Sequence, residues 1–236
     1  MNSLNFMLAE GLAAFGIPYD KETLPRFQIY FDELEESSKV MNLTAIHGEE
    51  AVAQLHFLDC AALLKMTDFD GKNVFDIGTG AGFPGLVLKI CCPSIRLTLL
   101  DSLDKRIAFL KRTCERLGFD DVACLHARAE EAAVGLREEA DIVTSRAVAS
   151  LNVLSELCLP FVRENGLFIA MKGPAYEAEL DAAGAAIRKL GGKTESCCSY
   201  TIPETDVTHS AVLIRKTAKT PTQYPRRWAQ IKKSPL

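Results

Sequence analysis

At Lys72 the hydrophobic period of this chain changes, and with it the folds open to it. From there the short β-rich runs "NVFDI", "IRLTLL", "DVACLH", "DIVTS" and "GLFIAMK" alternate with helix-like stretches such as "SLDKRIAFLKRTCERLG" and "SLNVLSELCLPFV". Strands separated by helices of this length imply right-handed crossovers and a parallel sheet. After "MKGP" comes the alanine-rich helix "AYEAELDAAGAAIRKLGG", then the runs "KTESCCSYTI" and "SAVLIRK", joined directly by "PETDVTH". Two strands joined that way form an antiparallel pair. The expectation is an α/β fold with a seven-stranded sheet, mostly parallel with an antiparallel closing strand. A six-stranded, all-parallel dinucleotide-binding sheet is disfavoured by that ending.

Upstream of residue 70 the spacing is helical. "LNFMLAEGLAAF", "LPRFQIYFDELEESSKVM" and "EEAVAQLHFLDCAALLKM" place apolar residues three and four apart, the last opened by the acidic pair Glu49 and Glu50. The expected organisation is a helical N-terminal cap over residues 1–70, a ligand-binding α/β domain over 71–216 and a basic tail over 217–236. The 236 residues carry 48% hydrophobic and 25% charged side chains, enough to bury a full core. The first Lys or Arg is Lys21, Glu10 interrupts the first apolar stretch, and no run of about 18 apolar residues occurs, so neither a signal peptide nor a membrane span is expected. None of the eight cysteines forms C-x-x-C, which points to free thiols in a reducing, cytosolic compartment and to no metal site. Arg215, Lys216, Lys219, Arg226, Arg227, Lys232 and Lys233 make the C-terminal end +7 in a chain of net charge −4, leaving −11 for the remainder. Such a tail suits a local anionic partner, nucleic acid among them, and equally a solvated terminus.

The stretch "FDIGTGAGFPG", residues 75–85, sets Gly78, Gly80 and Gly82 on alternate positions directly behind the first strand. Glycines between a strand and a helix let a ligand approach the backbone, and the loop N–H groups are expected to face it. Read from Gly78, the dinucleotide pattern G-x-G-x-x-G meets Phe83 where its third glycine belongs, and Asp76 favours a cationic or hydroxyl-bearing ligand over a diphosphate. S-adenosylmethionine fits better than a dinucleotide. Asp101, closing "IRLTLLD", stands where a carboxylate accepts from ribose hydroxyls, although it also fits simple capping of the helix from Leu103. Ala129 and Glu130 in "HARAEE" offer an N–H and a carboxylate where an adenine would sit; a first-turn glutamate is also ordinary helix capping.

The fourth strand ends in "SRAVAS", where an amine-directed enzyme would carry Asp/Asn-Pro-Pro-aromatic, and no Pro-Cys dipeptide supplies a cytosine-directed nucleophile. Guanine N7 needs neither, because its lone pair lies in the base plane and transfer requires positioning rather than a base. No catalytic residue is therefore expected beyond an assist from Arg146. Arg146 is assigned to guanine O6, a phosphate or the cofactor, and Lys172 in "MKG" to phosphate; both also fit exposed strand-end cations.

In series, "MNLTAI", "HFLDC", "FDIGTGAGFPG", "LLDSLDKR", "ARAEE", "SRAVAS", "MKG" and "QYPRRW" resemble the ribosomal RNA small-subunit methyltransferase G family, also called glucose-inhibited division protein B. The resemblance runs from about residue 41 to the C-terminus. It implies a class I methyltransferase (Rossmann-like) fold and S-adenosylmethionine-dependent methylation of guanine N7 in 16S rRNA, with the small ribosomal subunit as partner. It points to Gly78, Phe83, Ala129, Glu130 and Arg146 as cofactor contacts, joining Gly80 and Asp101, and to Asn42, His56, Asp59, Lys172, Arg226 and Arg227 on the substrate side. His56 and Asp59, three apart on one helical face, also fit a plain pairing with each other. The ending "RRWAQIKKSPL" departs from the family's commoner proline- and glycine-containing one and leaves two uses for Trp228, stacking on a base or packing on the core. The expected protein is a cytoplasmic monomer; the rivals are an NAD-type oxidoreductase, a non-enzymatic assembly protein and a methyltransferase for another acceptor.

Overall fold

The computed structural model describes residues 2–146 and 149–236; Ala147 and Val148, inside the "SRAVAS" motif, lie outside the described residues. The chain runs α1 (Ser3–Phe15), α2 (Thr23–Ser38), α3 (Glu49–Val52) with a π-helical turn (Ala53–Leu58), α4 (Asp59–Ala61), β1 (Asn73–Ile77) and α5 (Gly85–Cys91). It continues through β2 (Arg96–Asp101), α6 (Asp104–Leu117), β3 (Ala123–His126), α7 (Ala129–Ala132), β4 (Ala140–Arg146), α8 (Leu151–Cys158) and β5 (Val162–Lys172). α9 (Glu177–Lys189), β6 (Gly192–Thr201), β7 (Thr208–Lys216) and α10 (Trp228–Lys233) complete it.

The strands form one seven-stranded sheet in the order β3-β2-β1-β4-β5-β7-β6. Every pairing is parallel except those of β7, which runs antiparallel to both β5 and β6. Side chains of successive strand residues point to opposite faces, and the sequence is apolar at both parities. Val74, Leu99, Ile142, Leu167 and Leu213 thus enter one core cluster, and Phe75, Leu100, Val143, Phe168 and Ile214 enter the other.

The N-terminal helices do not build a separate core. Leu4, Leu8, Phe27, Tyr30 and Leu34 lie in the same cluster as Leu86 and Leu110 of α5 and α6 and as that face of the sheet. Tyr30 donates to the carbonyl of Ala81 at 2.6 Å, so α2 braces the glycine loop directly. Glu33 of α2 accepts from Arg112 and Arg116 of α6, and these bonds hold its carboxyl below the usual range despite the cost of burial.

The C-terminal end also returns to the body. Arg137 donates to the carbonyls of Thr220, Pro221 and Tyr224, and Ile231 of α10 is fully buried in the second cluster. Three cations counted in the basic tail are tied to acids: Arg215 to Glu195, the fully buried Lys216 to Glu138, and Arg226 to the fully buried Glu156. Lys219, Arg227, Lys232 and Lys233 are exposed. The basic surface is smaller than the charge count suggested, because acids elsewhere in the chain pair with part of it and had no sequence signal linking them to it. Among the described residues no helix is long and apolar enough to cross a membrane, and all eight cysteines are free.

Candidate active site

β1 lies between β2 and β4, so the crossovers diverge there and leave a crevice at the carboxyl ends of the strands, where open α/β sheets take ligands. A cavity of about 510 Å³ occupies that crevice. Gly78, Gly80, Phe83, Asp101, Ala129, Glu130 and Arg146 all line it, and they follow β1, β2, β3 and β4 in strand order.

The glycine loop closes on itself. Gly78 and Thr79 donate their N–H groups to the carbonyl of Leu100, Gly82 and Phe83 donate to Thr79, Gly80 donates to Asp101 at 3.0 Å, and Gly85 donates to Asp76 at 2.9 Å. The expectation that these donors face a ligand is corrected: the loop supplies space and shape rather than a cradle for a diphosphate. Gly82 has φ +102°, and a Cβ there would stand 2.7 Å from the Tyr30 hydroxyl.

Two further readings change. Asp76 does not face the ligand; it is fully buried and accepts from Thr79 and Thr144 hydroxyls and the Gly85 N–H. Burial pushes its carboxyl up to about 6 against the pull of those bonds. Nor does Phe83 break the dinucleotide pattern, since Gly80, Gly82 and Gly85 satisfy G-x-G-x-x-G in a register two residues later. Gly85 has the packing role of the third glycine: a Cβ there would meet Leu99 Cδ2 at 2.5 Å and Asp76 Oδ2 at 2.9 Å. What argues against a dinucleotide is the consumed N–H set and the antiparallel β7.

Asp101 is 3% exposed and accepts from the Leu103 N–H at 3.0 Å, the Gly80 N–H and, at 3.3 Å, Arg106. A carboxylate has about four acceptor sites. Displacing the long contact to the partly exposed Arg106 leaves room for both hydroxyls of a ribose, so the cavity fits an adenosine-bearing ligand. At its other end Ala129 and Glu130 open α7, where first-turn N–H groups lack intrahelical partners.

Arg146 is not a free cation at the cleft mouth. It donates to Asp59 and the Leu55 carbonyl, each at 3.3 Å, and to His56 Nδ1 at 2.9 Å, and its guanidinium stands 4.7 Å over the Phe83 ring. Because arginine only donates, His56 Nδ1 is the acceptor and Nε2–H donates to Thr44 Oγ1 at 2.7 Å. Burial first, and the Arg146 charge next, push His56 down to about 3, so the ring is neutral. His56 and Asp59 therefore meet through Arg146 rather than by pairing with each other. The π-helical turn carries His56 and precedes Asp59, and helical periodicity gives no sign of it.

Asp59 also accepts from Tyr200 and from His209 Nδ1, both at 2.8 Å. Neither partner was picked out in the sequence; they are cross-strand neighbours in β6 and β7, and only that register brings them together. Lys172 is 7% exposed and bound to Glu179 and the Ala149 carbonyl, each at 2.7 Å, and Arg226 is held by Glu156, so both are internally engaged rather than presented to phosphate. Asn42 and Arg227 are exposed. Trp228 packs against the second core cluster and lines the 510 Å³ cavity as well.

The sheet order and the site at its carboxyl ends define a class I methyltransferase. The chain matches the family model of rRNA small subunit methyltransferase G over residues 23–208. It is 43% identical over 99% of its length to the ribosomal RNA small subunit methyltransferase G of Acetivibrio thermocellus, 97% of which is covered, and 42% identical to that of Clostridium perfringens over 98% of both chains. The chain belongs to the rRNA small subunit methyltransferase G family. Its fold is similar to those of TrmN from Thermus thermophilus (TM-score 0.55, 18% identity, covering 67% of this chain and 48% of that one) and M. jannaschii TYW2 in complex with AdoMet (0.53, 14%, 66% and 72%).

Proposed function

We propose that the protein methylates guanine N7 in 16S rRNA of the small ribosomal subunit, using S-adenosylmethionine and acting as a monomer in the cytoplasm. The observation that supports methylation of small-subunit rRNA is the likeness, over nearly the whole chain, to relatives named ribosomal RNA small subunit methyltransferase G. The cavity chemistry agrees with it. Asp101 would hold the ribose, Ala129 and Glu130 the adenine, and Gly78 and Gly80 would give the amino-acid end a surface without side chains. When bound, S-adenosylmethionine supplies an electrophilic methyl group: the N7–C bond forms as the S–C bond breaks, the electron pair stays on sulfur, and no proton is released.

The protein therefore needs no general base, and its contribution is orientation. Neutral His56 adds no positive charge where the purine gains one. Phe83, stacked on His56 at 4.4 Å and capped by Arg146, forms a fixed wall at the cavity end nearest the cap. Exposed Lys219, Arg227, Lys232 and Lys233 would meet RNA phosphates, with exposed Asn42 next in sequence to the cavity-lining Leu43. Part of the RNA affinity then falls with salt.

The test is transfer of labelled methyl to small subunits and to protein-free 16S rRNA, both from cells lacking the activity, followed by nucleoside analysis. Label in 7-methylguanosine supports the reading; label in another nucleoside, or none despite cofactor binding, refutes it.

A further inference from the structure

A second cavity, about 760 Å³, shares His56 and Arg146 with the first. Its volume falls within the roughly 300–1,000 Å³ of ligand sites. Leu55, Met171 and Val207 supply apolar wall, and Asp59, Tyr200, His209 and the ion pair Lys172–Glu179 supply polar wall.

The hydrogen bonds decide what that wall has left to offer. Asp59 is 2% exposed and is spent on its three partners. Tyr200 donates its only proton to Asp59, so its oxygen keeps acceptor capacity. His209 uses Nδ1 on Asp59, which leaves Nε2 for a ligand on a side chain 31% exposed. Among the described residues, the bonds to Leu55, Asp59 and His56 use at most three of the five N–H groups of Arg146, so at least two remain.

The geometry points to this second cavity as the seat of the acceptor nucleobase, with Asp59 as the positioning residue that holds Arg146, Tyr200 and His209 around it. This rests on the rRNA reading above. A base must leave its stack to be methylated in a closed site, and a half-apolar cavity of this size receives it. N7 and O6 lie side by side on one edge of guanine. Turning N7 toward the first cavity therefore sets O6 against the wall the two cavities share, where the spare N–H groups of Arg146 are donors. The N1–H and exocyclic amine come next around the ring, toward the Tyr200 oxygen and toward His209 Nε2, which accepts when the ring is neutral with its proton on Nδ1. Adenine would present an amine to Arg146 instead, donor against donor, and a buried polar group left unpaired discriminates strongly. Arg146 has this orientation because Asp59, carried by the cap, neutralises it.

The test uses the full chain with small subunits and with protein-free 16S rRNA, both from cells lacking the modification, and follows whichever the wild type methylates. For wild type, Asp59→Asn, His209→Gln and Tyr200→Phe, four quantities are measured: KM and kcat for rRNA, the Kd for RNA without methyl donor, the Kd for S-adenosylmethionine without RNA, and Tm. The expected result is an RNA KM and Kd raised about tenfold in Asp59→Asn and His209→Gln, and less in Tyr200→Phe, with the S-adenosylmethionine Kd held within about twofold. Tyr200→Phe and His209→Gln keep the test decisive if Asp59→Asn does not fold. Unchanged RNA KM and Kd in the folded variants of an active enzyme, or shifts confined to the S-adenosylmethionine Kd, overturn the proposal alone. A wild-type enzyme that methylates no rRNA overturns the underlying reading and the proposal with it.

Discussion

The cavity beside the glycine loop is assembled from backbone at consecutive strand ends, whereas the cavity beside the closing strands is assembled from side chains delivered by distant segments. In the first, neighbouring strand ends and the loop itself take up the N–H groups of Gly78, Thr79, Gly80, Gly82, Phe83 and Gly85, and Asp101 and Glu130 complete the cavity at the ends of the next strands. In the second, Asp59 reaches Arg146, Tyr200 and His209 across sequence separations of 87, 141 and 150 residues. Ligand chemistry common to a whole fold class suits the first construction, because it survives changes elsewhere in the chain. Acceptor choice suits the second, because side chains from distant segments set its shape and its pattern of donors and acceptors.

Removing Arg146, one of the two residues common to both sides, should have the largest effect. Arg146→Ala removes the donor wall and takes a cationic partner from buried Asp59; losing one partner of such a pair costs about 2–5 kcal/mol. Methyl transfer should fall by about a hundredfold or more, and Tm should fall with it, by initial rates and thermal unfolding. Full turnover at unchanged Tm would mean that the two cavities do not meet functionally at Arg146.

Gly85→Ala probes the first side alone. Its Cβ would stand 2.5 Å from Leu99 Cδ2 and displace the Asp76 anchor. Overpacking of this kind costs about 1–3 kcal/mol. S-adenosylmethionine affinity should weaken while RNA affinity stays put, as two separate titrations would show. Asp101→Asn should act in the same sense through a single ribose contact, raising the S-adenosylmethionine Kd about tenfold. An RNA Kd that moved equally would blur the division between the cavities.

A smaller effect sharpens the other side. The hydrogen bond to Asp59, and then its charge, raise the His209 value above the ordinary 6.5 despite partial burial. A group whose value is raised on folding gives stability that is fully present below its unfolded value and is lost as pH rises through the folded one. His209→Gln should therefore lower Tm by a few degrees at pH 6 and by less at pH 9. An equal loss at both would mean that the imidazolium–carboxylate pair does not form. Smallest of all, Arg227→Ala should reduce the salt slope of RNA binding by about one unit, without changing S-adenosylmethionine affinity.

The same contrast explains what the sequence made legible. The strands, the order of the residues that line the first cavity and the closing antiparallel pair follow from period and from contiguous motifs, so Gly78, Asp101 and Glu130 could be placed from their distance to a strand end. Tyr200 and His209 could not, since nothing local separates them from other polar residues in β6 and β7; only the register pairs them. Charge misled where partners were remote. Lys216 and Arg226 read as available cations because Glu138 and Glu156 lie 78 and 70 residues away, and Lys172 because a strand end and a helix start separate it from Glu179.

The most direct measurement of the divided site is the affinity of one molecule that joins guanine N7, through a short carbon linker, to the 5′ position of an adenosine bearing an amino-acid tail. The account predicts binding at least about tenfold tighter than the adenosine half alone, weakened by Asp101→Asn and by His209→Gln alike. No gain over the adenosine half, or a gain indifferent to His209, would contradict it.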